Sequence, residues 1–429
     1  MTSHLEWTQH VPLSWSVRPL RAISDYVVSN VDKIPVDSEP AVRLCNYSDV
    51  YNNEFITLRL DFMPCTATED EIRKFGLSVD DVIITKDSES WNDIGVPALV
   101  VETADDLVCG YHLALLRPHE ATLSGRFLLR CLQAKVLRLQ LELAANGVTR
   151  FGLPKSDIGA MRLPVPPVES QLAIADFLDR EAARLDALVA AKQRLLELLV
   201  EKRKAIIATA VTRGLDPKVK LRDSGVPWLG EIPGHWEVER ARWLFRERDV
   251  RSETGGEELL TVSHLTGVTP RSEKDVNMFE AETNEGYKVC EPGDLVINTL
   301  WAWMGAMGAT PVKGIVSPAY NVYEMGSRLV PAYVDLLARV PVFAQEVKRY
   351  SKGVWSSRLR LYPEGFFEVY LPLLPIEEQL AIVDHIARET AKLDAVRAAT
   401  ERTIALLKER RAALIAAAVT GQIDVETAA

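Results

Sequence analysis

The sequence predicts an α+β protein in which two mixed α/β domains are separated by two long, antiparallel, coiled-coil-like helices, as a pseudo-twofold tandem duplication. The main observation is an internal repeat: residues 163–216 recur at 371–424 without a gap, and about half of the aligned residues are identical. A chain of 429 residues also exceeds what one hydrophobic core usually supports. The predicted segments are a first domain at 1–162, a helical spacer at 163–216, a second domain at 217–370 and a second spacer at 371–429.

Each copy of the repeat opens with a proline cluster, LPVPP at 163–167 and LPLLP at 371–375. Proline fixes φ and disfavours helix in the residue before it, so each cluster predicts an extended strand that ends just before a helix begins. Neither Pro nor Gly occurs within 169–212 or 377–420. At the rise of an α-helix, these stretches predict helices of about 65 Å each.

Apolar residues keep a three-four spacing along both helices, which predicts a coiled-coil-like seam. The seam positions are Leu178, Leu185, Leu188, Leu195, Leu199 and Ile206 in the first helix, and Ile386, Leu393, Val396, Thr403, Leu407 and Leu414 in the second. Polar residues interrupt the seams at equivalent places, Lys192 and Lys202 against Thr400 and Arg410. Because their sequences match, antiparallel pairing within this chain is favoured over the alternative that each helix joins a different partner chain.

The two globular segments also correspond through short motifs. These pair 7–15 with 228–236, both reading W-x4-P-x2-W, 79–84 with 292–297, and 108–113 with 317–322. Between the motifs, β-branched runs alternate with Gly, Pro, Asn and Asp, which indicates strands and turns. We therefore predict a common fold with divergent loops, and divergent loops are where partner choice is made.

The composition indicates the state of the cysteines, the compartment and the net charge. The five cysteines are odd in number, scattered and never in a C-x-x-C pair, which predicts reduced thiols. No leader peptide and no long apolar window is visible, so a cytoplasmic protein without a membrane span is expected. Net charge is −10, and residues 1–162 hold 16 Lys or Arg against 22 Asp or Glu. Any nucleic-acid binding must therefore depend on local clusters.

Motifs for catalysis are missing from the sequence. It has no phosphate loop, no strand-linked G-x-G-x-x-G, no amino-methyltransferase N/D-P-P-Y/F signature and no histidines at metal-ligand spacing. Asp70, Glu71 and Lys74 imitate a nuclease cluster, but the acid-rich start of a solvated helix is the favoured interpretation. The sequence thus predicts no catalytic, cofactor-binding or metal-binding residues in this chain.

The proline-to-helix junctions, which read L-P…P-x-E-x-Q-L-A-I, resemble those of the specificity subunits of type I restriction-modification systems. Further motifs of that family follow in family order: the two W-x4-P-x2-W openings, GDL at 293–295, SPAY at 317–320 and KGVW at 352–355. The resemblance covers nearly the whole chain. It implies two target-recognition domains, each of which reads one half of a bipartite double-stranded DNA sequence.

The resemblance also implies the partners and their cofactors. Two methyltransferase subunits, which use S-adenosylmethionine, would dock on the helices, and two motor-nuclease subunits, which use ATP and Mg, would join where present. This chain would be a non-catalytic subunit. The alternatives are a coiled-coil scaffold or adaptor that does not bind DNA, which the acidic balance slightly favours, and an enzyme with an unrecognised site.

For base reading, the segments just before each proline cluster, 146–155 and 351–360, are the candidates. Arg can contact guanine O6 and N7 with two hydrogen bonds, Ser, Thr and Lys can anchor phosphates, and Trp can pack on sugar or base. The candidate DNA-binding residues are Thr149, Arg150, Lys155, Lys352, Trp355, Ser356, Ser357, Arg358 and Arg360. The alternative is a structural loop whose Arg residues pair with Glu364 or Glu368 and whose Trp lies in the core.

Overall fold

The computed structural model describes residues 3–273, 283–353 and 359–425. The chain divides into two compact units: the first combines Met1–Gln193 with Glu401–Ala429, and the second is Arg194–Thr400. Each unit contains one globular domain, the beginning of one long helix and the end of the other. The four-segment division proposed from the sequence stays a prediction.

In the first unit, short strands alternate with short helices before the first long helix. The strands are β1 (Ser16–Pro19), β2 (Ser24–Val28), β3 (Ala41–Cys45), β4 (Phe55–Ile56), β5 (Met63–Thr66), β6 (Val82–Thr85), β7 (Asp87–Ser88), β8 (Pro97–Val100), β9 (Leu107–Cys109), β10 (Leu113–Pro118), β11 (Asn146–Gly147), β12 (Phe151–Gly152) and β13 (Arg162–Val165). The helices are α1 (Tyr47–Asn52), α2 (Glu69–Phe75), α3 (Gly125–Gln133), α4 (Lys135–Ala144), α5 (Lys155–Ala160) and the long α6 (Val168–Arg213).

The second unit repeats this order. Its strands are β14 (Leu221–Asp223), β15 (Glu231–Pro233), β16 (Glu237–Arg240), β17 (Phe245–Glu247), β18 (Leu260–Ser263), β19 (Gly267–Pro270), β20 (Lys288–Cys290), β21 (Leu295–Asn298), β22 (Met307–Ala309), β23 (Gly314–Val316), β24 (Tyr320–Met325) and β25 (Tyr370–Leu373). Its helices are α7 (Ala241–Leu244), α8 (Pro331–Ala338), α9 (Pro341–Tyr350), α10 (Pro363–Phe367) and the long α11 (Ile376–Val419).

Each domain contains its own central sheet, and the two sheets have corresponding strand orders. The order is β2-β10-β6-β8-β4 in the first domain and β17-β24-β21-β22 in the second. The motif at 79–84 leads into β6 and its counterpart at 292–297 leads into β21, while the other motif pair leads into β10 and β24. In both domains the proline-cluster strand pairs antiparallel with the strand that follows W-x4-P-x2-W, β13 with β1 and β25 with β16. The predicted common fold is therefore confirmed.

The turn before each central strand is built in the same way. A buried aspartate, Asp81 in the first domain and Asp294 in the second, accepts a hydrogen bond of 2.8 Å from the backbone N–H three residues earlier. Each aspartate also pairs with an arginine, Arg117 at 2.7 Å and Arg248 at 2.8 Å. Burial raises the pKa of Asp294, although its hydrogen bonds and Arg248 oppose that shift. Sequence-distant residues thus hold equivalent turns.

Each unit places the beginning of one long helix beside the end of the other. In the first unit Ile174 and Leu178 share a core cluster with Ile415 and Val419. In the second unit the end of α6 and the start of α11 lie in a common cluster in the same manner. The predicted antiparallel arrangement is therefore confirmed.

The predicted seam is wrong at two positions and covered elsewhere: Leu195, Leu199 and Leu407 are half-buried, and Thr400, in the middle of α11, is buried. Leu178, Leu185 and Ile386 are buried, but Leu188 and Val396 are 44% and 45% exposed. No residue is buried within 186–209 or within 401–414. The long helices are buried mainly where a globular domain packs against them, and their central turns are only partly covered.

Candidate nucleic-acid interface

The two segments predicted to read bases lie at equivalent places in their domains. Each follows a pair of helices, α3 with α4 or α8 with α9, and precedes a short helix, α5 or α10. In the first domain the segment is the hairpin β11–β12, which β7 extends to three strands. In the second domain the backbones of Lys352 and Arg360 form an antiparallel bridge with two hydrogen bonds of 2.9 Å.

Both segments are fixed to the central sheet by the same hydrogen bond. The Leu153 N–H donates to the Lys86 carbonyl at 2.9 Å, and the Leu361 N–H donates to the Thr299 carbonyl at 3.0 Å. Lys86 and Thr299 both directly follow a central strand. The scaffold therefore positions each segment identically, although the two sequences differ.

The described candidates all lie on the surface. Thr149 and Arg150 are exposed in the hairpin turn, and Lys352 and Arg360 are exposed at the bridge. Lys155 is exposed at the start of α5, with its ammonium 5.6 Å from the centre of a tyrosine ring. The remaining candidates, Trp355, Ser356, Ser357 and Arg358, lie outside the described residues.

Glu368 and the acid-rich stretch at 68–74 each had an alternative interpretation. Glu368, proposed together with Glu364 as a structural partner for the loop arginines, pairs with Arg240 and Arg242, while Arg358 lies outside the described residues. The acid-rich stretch that imitates a nuclease cluster is the start of α2, where Thr68 and Glu71 form a capping box. A helix start is the correct interpretation of that stretch.

The first-domain hairpin carries a chain of polar contacts that the sequence did not reveal. Asp87 Oδ2 lies 2.6 Å from His112 Nδ1, and His112 Nε2 lies 3.1 Å from an Arg150 guanidinium nitrogen. Because a guanidinium can only donate, Nε2 is the acceptor and Nδ1 carries the proton that it donates to Asp87. Burial works against the charge on Asp87, but hydrogen bonds from Lys86 and His112 outweigh it and lower the pKa of this carboxyl.

These residues border a cleft of about 780 Å³ in the first domain. Its lining consists of Lys33, Tyr47, Tyr51, Asp87, Ser88, Glu89, Ser90, Asp93, His112, Thr149 and Arg150. The Tyr47 and Tyr51 rings are stacked with centroids 5.6 Å apart, and the Tyr51 hydroxyl donates to Asp93 at 2.6 Å. Cations, carboxylates and aromatic faces thus meet in one concave surface.

The second domain has a different surface beside its segment. Shortly after Thr299, Trp301 and Trp303 stack with centroids 6.2 Å apart, and the Lys348 ammonium lies 5.8 Å from the Trp303 ring. Trp301 is half exposed. The W-A-W spacing was the available sequence signal for this pair, and our sequence analysis missed it.

No protein-family profile matches the chain. The chain is 23% identical to a Methanocaldococcus jannaschii protein assigned as the type I restriction enzyme MjaX specificity subunit, across 97% of this chain and 95% of that protein. It is 20% identical to the type I restriction enzyme EcoKI specificity subunit of Escherichia coli K12, across 97% of this chain and 90% of the relative. The predicted resemblance to type I specificity subunits is confirmed.

Solved structures show the same fold. The HsdS subunit from Thermoanaerobacter tengcongensis aligns with a TM-score of 0.57 at 16% identity, over 96% of this chain and 98% of that subunit. A chain from a type I R-M system, solved for its complex assembly and conformational transition, aligns with a TM-score of 0.63 at 16% identity, over 96% of this chain and 99% of that chain. The specificity-subunit fold thus extends over both units.

The described part of the chain has neither a cluster of metal ligands nor a helix suited to a membrane. Within 3–273, 283–353 and 359–425, no group of His, Cys, Asp and Glu side chains is arranged to hold a metal ion. In the same ranges, no helix has both the length and the apolar character needed to cross a membrane.

Proposed function

We propose that this chain is the DNA sequence-specificity subunit of a type I restriction-modification complex, and that each domain reads one half of a bipartite target. One observation carries the proposal: both domains hold an exposed segment on the same sheet by the same backbone hydrogen bond, while the side chains around the two segments differ. Equivalent positions with different surfaces suit two different half-sites.

The candidate DNA-binding residues fit this role by their chemistry. Arg150 and Arg360 present guanidinium groups for base edges, and Thr149, Lys155 and Lys352 can contact phosphates. Trp355, Ser356, Ser357 and Arg358, outside the described residues, belong to the same proposed surface.

The long helices are proposed to bind two methyltransferase subunits. Exposed apolar side chains recur on them at repeat-equivalent positions: Leu172, Leu188 and Leu406 in the first unit correspond to Leu380, Val396 and Leu198 in the second. Each unit therefore offers the same set of apolar side chains to a partner. A duplicated surface is what two copies of one subunit require.

A direct test is to count the bound partner subunits by native mass spectrometry. Leu188→Glu should weaken binding at the first unit and Val396→Glu at the second, so each variant should reduce two bound methyltransferase subunits to one. Exposed Gln193→Glu, on the same helix, is the matched control and should leave two bound. Two copies bound to Leu188→Glu and two to Val396→Glu would contradict the docking proposal.

The catalytic chemistry is assigned to partners in this proposal. The methyltransferase subunits would bind S-adenosylmethionine, and motor-nuclease subunits, where present, would bind ATP and Mg. This chain would contribute recognition in the cytoplasm, where bacterial and archaeal DNA lies. Its charge of −10 repels the phosphate backbone, so we expect the chain alone to bind DNA weakly and the methyltransferase subunits to supply much of the phosphate contact.

Selection from random-sequence DNA, with and without the methyltransferase subunits, tests the proposal. The complex should enrich one split motif, two short blocks around an unspecified gap, and omission of this chain should abolish the enrichment. Absence of any enriched motif, together with partner binding, would support the scaffold alternative. Tight, salt-insensitive binding by the isolated chain would contradict the proposed division of phosphate contacts.

A further inference from the structure

We propose that Asp87, His112 and Arg150 form one guanine-reading unit in the first domain, in which Arg150 contacts the base and His112 is a positioning residue. This inference rests on the proposed function and adds to it a base identity and a mechanism of orientation. The proposal is based on two contacts. The Asp87 carboxylate lies 2.6 Å from the His112 imidazole, and the imidazole lies 3.1 Å from the Arg150 guanidinium.

The hydrogen bond to His112 uses one of the five N–H groups of Arg150. Among the described residues, His112 is the hydrogen-bond partner of the Arg150 side chain. Arg150 itself is exposed and lines the cleft, so its remaining N–H groups are available to a ligand. A planar guanidinium with two parallel donors matches the O6 and N7 acceptors of guanine, which lie side by side in the major groove.

The surroundings favour a base edge over a phosphate. Asp87, Glu89 and Asp93 line the same cleft as Lys33 and Arg150, so carboxylates outnumber the cations there. Carboxylates repel the DNA backbone, whereas they accept hydrogen bonds from exocyclic amino groups of bases. A mixed surface of this kind can therefore distinguish bases.

His112 is built to hold a fixed orientation. Its backbone is in the left-handed region, with φ of 70°, which few non-Gly residues adopt, although His, Asn and Asp do so more often than others. Its ring packs against Tyr111 at a centroid distance of 3.8 Å, and its side chain is 23% exposed. A guanidinium held by an ordered imidazole loses less rotamer freedom when it contacts DNA.

At the described positions equivalent to Asp87 and His112, the second domain has different side chains on the corresponding sheet. Strand pairing places Leu113 opposite Thr85 and Tyr320 opposite Asn298, which makes Ala319 the structural counterpart of His112. The motif alignment at 108–113 and 317–322, which pairs His112 with Asn321, is therefore two positions out of the strand register. By the same register Leu300 is the structural counterpart of Asp87. Neither side chain can form the contact chain, so these positions give the unit to the first half-site and not to the second.

The test uses the complex of this chain with its methyltransferase subunits and the split motif found by selection. Each guanine of the first half-site is replaced singly by 7-deazaguanine, which lacks the N7 acceptor, and Kd is measured. In the unaltered complex one such replacement should weaken binding about tenfold. Arg150→Ala should weaken binding to the natural site by about 10- to 100-fold and should show no further penalty with 7-deazaguanine.

His112→Asn separates positioning from folding. Asn tolerates the left-handed backbone but is too short to reach Arg150, so the turn is kept and the orienting contact is lost. This variant should retain Arg150 yet lose most of the 7-deazaguanine penalty, which a purely structural role would not change. Arg59→Ala removes an exposed charge outside the cleft and should keep the full penalty.

The outcomes are distinct. A first half-site without guanine, or an equal 7-deazaguanine penalty with and without Arg150, overturns the assignment of Arg150. An unchanged penalty in His112→Asn overturns the positioning role. Absence of any sequence-specific binding by the complex would instead refute the proposed function, and this inference with it.

Discussion

Gln171 and Gln379, which occupy the same position in the two copies of the repeat, make the same three hydrogen bonds in their separate units. Gln171 donates to the carbonyls of Thr122 and Pro166 at 2.9 Å each and accepts from the Ser124 N–H at 2.9 Å. Gln379 donates to two carbonyls at 2.8 and 2.9 Å and accepts from a backbone N–H at 2.8 Å. Both side chains are fully buried.

Each glutamine joins the proline-cluster strand, the start of a long helix and the loop before α3 or α8. Replacing either by Leu removes three hydrogen bonds, one of them buried and two partly buried, and we expect a loss of unfolding free energy of about 3 kcal/mol. Chemical denaturation of Gln171→Leu and Gln379→Leu measures it. Gln193→Ala, at an exposed position of α6, is the control. A loss at one glutamine alone would contradict the structural equivalence.

A buried arginine ties the first domain to the helices of its own unit. Arg130 is 2% exposed and pairs with Glu54 at 2.6 Å and with Asp179. Glu54 also binds Arg411 of α11 at 2.8 Å. Removal of Arg130 leaves Glu54 with Arg411 alone and Asp179 with Arg126 alone, and the lost charged hydrogen bonds should destabilise the first unit in Arg130→Met by about 2 kcal/mol.

The measurement is urea denaturation followed by a probe in each unit. Arg194→Ala breaks only an exposed pair with Glu197 and should leave the transition unchanged. A stable Arg130→Met variant would show that the ion pairs do not hold the domain on the helices.

The shape of the first-domain hairpin depends on Gly147. Its φ is 150°, and an added Cβ would lie 1.9 Å from the Arg150 carbonyl oxygen. Gly147→Ala should therefore displace Arg150 and weaken specific DNA binding about tenfold, the loss of roughly one base contact. Gly225→Ala, where φ is +71° and no atom lies within 4 Å, introduces backbone strain without a clash. Equal effects of the two changes on binding would count against a reading role for the hairpin.

The cysteines should be inert in the folded chain. All five are free, as predicted from their number and spacing, and all five are also buried. Burial raises the pKa of Cys290 to about 12 and those of Cys45 and Cys131 well above the usual value. These thiols are therefore protonated at pH 8, and iodoacetamide should label them only after denaturant is added. Rapid labelling of the native chain would contradict the buried positions.

The sequence predicted the duplicated features well because duplication repeats their signal. The long helices begin at Val168 and Ile376, within one residue of the predicted starts, since proline clusters and uninterrupted helix formers are local features. The seam at Leu188 and Val396 was predicted wrongly. Helical spacing identifies an apolar stripe but cannot tell whether a partner within the chain covers it.

Contacts between residues that are distant along the chain could not be predicted from the sequence. Asp87, His112 and Arg150 are separated by 25 and 38 positions, and strand register alone brings them together. Arg150 was predicted because it lies in the segment just before the first proline cluster and is an arginine, which can contact guanine. The side chains that orient it carried no local signal, since a single Asp or His in a loop is unremarkable.

Mapping of adenine methylation by long-read sequencing, in cells that contain the methyltransferase partner with and without this chain, tests the central claim most directly. We expect the chain to be required for methylation of one split motif, two short blocks around an unspecified gap. Reintroduction of Arg150→Ala should relax or abolish the requirement at the first block and leave the second block unchanged. A methylome that is identical with and without the chain would contradict its role as a specificity subunit.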